Sequence, residues 1–149
     1  MTTHHRYVID SVALINYFRS IFDEREMISD AARRIITSGF NEFSKTKLII
    51  PSTVLIELHT KFITDEEIGR KIYYEIYFKL RECPDIEIKP LEKEVIEEFI
   101  KIDDNVEALE HNDKLILSAA IQLNCPIITI DPKIISYIKK CNYLPGYIS

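Results

Sequence analysis

Apolar positions along the chain alternate between two patterns. Residues 7–9, 48–50, 86–88 and 127–130 are short, largely β-branched runs, too brief for a helix. Each predicts a strand buried on both faces of a parallel sheet. Between them lie stretches of helical length: 12–21, 29–43, 54–62, 66–80, 93–102 and 114–123. In 66–80, Ile68, Ile72, Ile76 and Leu80 recur every four residues, and Tyr73 and Tyr77 widen that stripe. Ser29 and Asp30 mark a helix start, and Cys83-Pro84 closes the long helix. Strands alternating with helices predict an α/β fold of three layers, a mostly parallel sheet flanked by helices. No repeat, low-complexity tract or Pro/Gly/Ser linker interrupts the pattern, so residues 1–149 are expected to form one domain.

Composition narrows the chemistry. With 149 residues, 46% of them hydrophobic, the chain can bury a core and is not a disordered segment. Three glycines (Gly39, Gly69, Gly146) are too few for a glycine-rich phosphate loop. No apolar run approaches the ~20 residues of a membrane span, and the first seven residues do not read as a signal peptide. Cys83, Cys125 and Cys141 are odd in number and form no C-x-x-C pair, which predicts a reducing cytoplasm rather than a disulfide framework or a structural zinc site. His59 and His111 each sit two residues from an acid, a spacing that points to different sides of a helix and disfavours a zinc site.

In parallel sheets function gathers at the carboxyl ends of strands. Asp10 directly follows the run 7–9, and Asp131 the run 127–130. Glu57 lies seven positions after Ile50, in the helix opened by Pro51-Ser52, and Asp113 precedes the helix 114–123. Singly, such acids are ordinary helix caps or strand-end turn residues. Glu57, however, stands among Val54, Leu55, Ile56 and Leu58, where an uncompensated carboxylate is costly. Four carboxylates converging on one sheet edge repel one another unless a cation neutralises them, and a hard, oxygen-seeking ion such as Mg²⁺ or Mn²⁺ suits that donor set.

Four segments carry a family resemblance. Tyr7-Val8-Ile9-Asp10-Ser11, Pro51-Ser52-Thr53-Val54-Leu55-Ile56-Glu57, Asn112-Asp113-Lys114-Leu115-Ile116-Leu117-Ser118-Ala119-Ala120 and Ile128-Thr129-Ile130-Asp131 resemble the PIN domain in order, spacing and flanking apolar pattern. Stand-alone members of this length look most like the VapC-type toxins of VapBC toxin–antitoxin pairs. The resemblance implies a metal-dependent endoribonuclease hydrolysing single-stranded RNA. Asp10, Glu57, Asp113 and Asp131 would be its catalytic and metal-binding residues around Mg²⁺ or Mn²⁺. Ser11 and Thr129 would support the metal or the scissile phosphate. It also implies an antitoxin partner and a homodimer, with the apolar surplus of helix 66–80 as an interface. Two departures stand out: Val12 occupies a position where the family commonly has Asn or Ser, and 132–136 lacks an acid often found beyond the last strand's Asp.

These departures keep open a catalytically weak or inactive PIN-like module that binds RNA or a protein. A haloacid-dehalogenase-like phosphatase needs a second Asp two residues after the first, where this chain has Val12. A receiver domain needs an Asp after its third strand, where this chain has Lys89-Pro90. The formal charge of -5 at first opposes a nucleic-acid substrate. Its distribution changes that reading. Glu92, Glu94, Glu97, Glu98, Asp103, Asp104, Glu107 and Glu110 face only Lys93 and Lys101 within 91–112, and the rest of the chain is close to neutral even counting the four site acids. RNA is therefore expected not to lie along the face carrying Glu92–Glu110 and to use cations elsewhere, Arg33, Arg34, Lys133, Lys139 and Lys140 among them.

Overall fold

The computed structural model describes residues 5–19, 27–41, 44–62, 67–83 and 85–149. Glu66, Pro84 and the expected helix ends at Ile21 and Phe43 lie outside them, as do the side chains of Ile68 and Ile72. In chain order the described residues form β1 (Arg6–Ile9), α1 (Ser11–Arg19), α2 (Asp30–Phe40), β2 (Lys47–Pro51), α3 (Ser52–Phe62), α4 (Glu67–Glu82), β3 (Glu87–Lys89), α5 (Lys93–Lys101), α6 (His111–Leu123), β4 (Ile127–Ile128), α7 (Pro132–Cys141) and β5 (Tyr147–Ile148). All the strand pairings are parallel, in the order β3-β2-β1-β4-β5. This is the α/β layer fold that the alternation predicts.

The sheet centre is apolar on both faces, as parallel packing requires. Val8, Ile9, Leu48, Ile49, Ile50, Ile127 and Ile128 are all fully buried. From β1 the chain winds outward through β2 to β3, then crosses to β4 on the other side of β1. The reversal between β1 and β4 opens a crevice at their carboxyl ends. Ile9 pairs with Ile128, so the residues that follow these two strands emerge side by side.

Several boundaries differ from expectation for local reasons. The third strand is Glu87–Lys89, not 86–88, and it is an edge strand with Ile88 exposed. The β4 ladder stops at Ile128, two residues short of the apolar run. Helix α3 begins at Ser52 and α6 at His111, earlier than their apolar stripes. The apolar periodicity predicts neither α7 nor β5. An Asp-Pro start does announce α7, because Asp131 caps it and Pro132 fits its first turn. A two-residue strand after Gly146, whose φ is +79°, offers no periodicity to read.

Gly39 lets α2 close onto β2. A Cβ built there would stand 2.7 Å from the Leu48 Cβ. Helix propensity alone would make Gly39→Ala stabilising by about 0.5–1 kcal/mol. The overlap is the larger effect, and a net loss of about 1–2 kcal/mol is expected. A urea midpoint that rises in the variant would refute this.

Candidate active site

Asp10 leaves the end of β1 and turns at once into α1. Its backbone N–H donates to the Ile128 carbonyl (3.1 Å), and one carboxyl oxygen accepts the Ala13 N–H (2.8 Å), capping the helix. The other carboxyl oxygen accepts the Thr129 hydroxyl. Thr129 is fully buried, and its own N–H donates to the Ile148 carbonyl of β5 (3.0 Å). The same Thr129 oxygen accepts the Asp131 N–H (3.1 Å), while the Asp131 carboxylate caps α7 by accepting the Lys133 N–H (2.8 Å). Thr129 thus ties the two strand-end acids together across the switch point.

A second link runs to α3. The Ser11 hydroxyl donates to Glu57 Oε1 (2.7 Å), both residues being buried. Glu57 sits in the second turn of α3, between the buried Val54 and Leu58, so this bond compensates part of its desolvation. Asp113 is the third residue of α6 and is half-buried. Its neighbour Lys114 pairs with Asp104 (2.5 Å), with its Nζ 5.7 Å from the centre of the Phe99 ring.

Burial dominates the electrostatics of Asp10, which is 2% exposed. Desolvation pushes its carboxyl up to about 7 from the ordinary 3.8, and the charges of Asp131 and Asp113 push in the same direction. The bonds from Thr129 and Ala13 pull back without cancelling that rise. Asp10, Asp113 and Asp131 therefore share one electrostatic field, and Glu57 joins through the adjacent Ser11. Even so, among the described residues no three His, Cys, Asp or Glu side chains are placed to hold a metal ion as a finished cage. The donor types suit a hard cation: the desolvated Asp10 carboxyl, bonded by the Thr129 hydroxyl, feels the charges of Asp131 and Asp113, and a positive charge would relieve it.

The role of β5 had no sequence signal, yet its Ile148 carbonyl anchors Thr129. Val12, in the first turn of α1, is 37% exposed where the family commonly places a polar group. Replacing Thr129 by Val would remove the hydroxyl shared by Asp10 and Asp131. A loss of ion affinity of about 10–100-fold is expected, with Thr129→Ser recovering most of it. Calorimetric titration with Mn²⁺ checks this, and equal affinity of wild type and Val variant would refute it.

The model of the PIN domain family matches residues 7–140. No curated protein matches the chain. Among solved structures, VapBC2 from Rickettsia felis, bound to a DNA fragment from its promoter, superposes with a TM-score of 0.64 at 17% identity, covering 94% of this chain and 93% of that one. FitAcB from Neisseria gonorrhoeae gives 0.61 at 13% identity, covering 96% of each chain. VapBC-1 from nontypeable Haemophilus influenzae gives 0.56 at 14%, covering 90% of this chain and 92% of that one. At such identities these likenesses speak for fold, while the family match spans all four acids: the chain belongs to the PIN domain family.

Proposed function

We propose that this PIN domain protein is a Mg²⁺- or Mn²⁺-dependent endoribonuclease, a single-domain toxin of a toxin–antitoxin pair that hydrolyses phosphodiester bonds in single-stranded RNA. The observation that carries the reading is the Asp10 carboxyl. It is buried at the β1/β4 switch point and bound by Thr129, and it is raised first by desolvation and then by the charges of Asp131 and Asp113. Family membership and the toxin–antitoxin complexes among its structural likenesses support it. Among the described residues no helix is long and apolar enough to cross a membrane. The unbridged Cys83, Cys125 and Cys141 agree with a cytoplasmic setting.

Asp10, Asp113 and Asp131 would hold the ion, with Glu57 on the neighbouring side for a second ion or a water. When bound, the ion polarises the scissile phosphate and lowers the pKa of the attacking water. The chain's own residues do the positioning. Thr129 fixes the Asp10 rotamer and the path of the backbone at Asp131. Ser11 fixes Glu57, whose carboxylate can orient the attacking water or accept its proton. Cleavage of single-stranded RNA with and without Mg²⁺ or Mn²⁺ tests the reading, and no ion-dependent cleavage would overturn it.

The second reading, a PIN-like module that binds without cutting, is favoured by the unfinished cage, the apolar Val12 and the lack of an acid in 132–136. It predicts RNA or protein binding without cleavage in the same assay.

Partner binding has its own support. Tyr74, Tyr77 and Phe78 are exposed on α4, beside an apolar groove of about 400 Å³ lined by Leu55, Leu58, Tyr73, Ile76 and Leu80. That surface suits the homodimer and antitoxin contacts expected from the sequence. Light scattering is expected to give twice the chain mass at micromolar concentration; a strict monomer would refute the dimer.

A further inference from the structure

A buried hydroxyl beside the active site has no protein partner. Thr53, in the first turn of α3, is 8% exposed. Among the described residues nothing hydrogen-bonds to its hydroxyl, and the oxygen is not sealed from solvent. An unpaired hydroxyl in such a place is costly, and it is relieved when a ligand bonds to it.

The fold aims this side chain at the site. Val8 pairs with Ile49, so two residues further on Asp10 and Pro51 end neighbouring strands at one level. Such strands lie about 4.8 Å apart, and α3 starts at the next residue, Ser52. Thr53 and Glu57 are four residues apart and share one face of α3, where Glu57 receives the Ser11 hydroxyl (2.7 Å). Helical side chains lean towards the helix N-terminus, which for α3 is the carboxyl edge of the sheet. Thr53 therefore stands on the site side of α3, one turn nearer that edge than Glu57.

Charge decides what it bonds. The free N–H groups of a helix's first turn carry positive potential, which repels a cation and attracts an anion. At α1 and α7 this potential is taken up by Asp10, which accepts the Ala13 N–H, and by Asp131, which accepts the Lys133 N–H. Helix α6 has Asp113 in its first turn. Pro51 offers α3 no side-chain acceptor, and the first turn of α3 holds no acid. The Leu91 N–H donates to the Ser52 hydroxyl (3.1 Å), which fixes the start of α3 against the segment after β3. A hydroxyl donor beside first-turn N–H groups suits a phosphate oxygen. We infer that the first turn of α3, with Thr53 as its side-chain donor, is the subsite for the RNA backbone phosphate next to the scissile one. The inference rests on the ribonuclease reading and adds to it a contact that positions the strand without reading its bases.

Short single-stranded RNAs cut with Mn²⁺, each carrying one uncharged methylphosphonate in place of a phosphate, test it. In wild type, one such replacement next to the cut is expected to lower kcat/KM roughly 10- to 100-fold, the range of a hydrogen bond to a charged group. Thr53→Val is expected to lower kcat/KM on unmodified RNA about tenfold and to shrink the penalty of that one replacement by the same factor. Thr53→Ser keeps the hydroxyl and is expected to behave as wild type. The Mn²⁺ affinity of Thr53→Val, measured by calorimetry, is expected to be unchanged, and its thermal midpoint not to fall. If wild type cleaves and the penalties are equal in wild type and Thr53→Val at every position, the phosphate assignment is overturned while the ribonuclease reading stands. A tenfold loss of Mn²⁺ affinity would give the hydroxyl to the ion, and a lowered midpoint would make it structural; either overturns the assignment. No cleavage by wild type overturns both.

Discussion

Asp10→Asn is expected to leave the fold intact and to reduce RNA cleavage by on the order of a thousandfold or more, since the preorganised charge that supports the reaction is removed. Asn keeps the size of Asp and keeps an oxygen to accept the Ala13 N–H that starts α1. It loses the negative charge facing Asp113 and Asp131, and with it the reason for a cation to sit between them. On the Thr129 side an amide nitrogen replaces a carboxyl oxygen, so the hydroxyl that donated must accept instead. That hydroxyl already accepts the Asp131 N–H (3.1 Å), and a modest local rearrangement follows. Circular dichroism should be unchanged. The thermal midpoint at pH 8 without divalent ions should rise, because a desolvated carboxylate has been replaced by a neutral group. A variant that cleaves as fast as wild type would remove Asp10 from the mechanism.

How much of this could be read in advance follows from which interactions are local. Asp10 and Asp131 were legible because each ends an apolar run, and β-branched runs buried on both faces are what a parallel sheet centre demands. Edge position is not local. Ile86 and Ile88 read as an interior strand, but β3 borders the sheet and Ile88 is left exposed. Glu57 was singled out by its apolar neighbours, while its bond to Ser11 spans 46 positions that no spacing encodes. Lys114 stands beside Asp113 in sequence, yet a helix turns successive side chains about 100° apart. Its partner is Asp104, from the preceding loop.

The ion-free protein is expected to lose stability as pH rises from about 4 to about 7, and divalent ions to restore it only at the upper end. Unfolded, Asp10 releases its proton near 3.8; folded, it retains it up to about 7. Between those values the native state binds more protons than the unfolded chain, so stability falls with rising pH and levels off above 7. One pKa unit corresponds to about 1.4 kcal/mol, so a span of about three units sets an upper bound of roughly 4 kcal/mol. Contributions from carboxylates remote from Asp10 cancel in the comparison, so the difference between the two proteins reports on this group and its coupling to Asp131 and Asp113. That difference should grow in favour of the variant from pH 4 to pH 7 and then stay constant. Parallel profiles would mean that the Asp10 carboxyl titrates ordinarily. An ion competes with the retained proton. At a hundred times its dissociation constant it adds about 2.7 kcal/mol where it binds only the folded state. That gain should appear in wild type at pH 8 and shrink towards pH 5 as the proton takes the site. It should be absent in Asp10→Asn at either pH. Equal stabilisation of the two proteins would place the ion elsewhere, because only a site built on Asp10 couples ion binding to this proton.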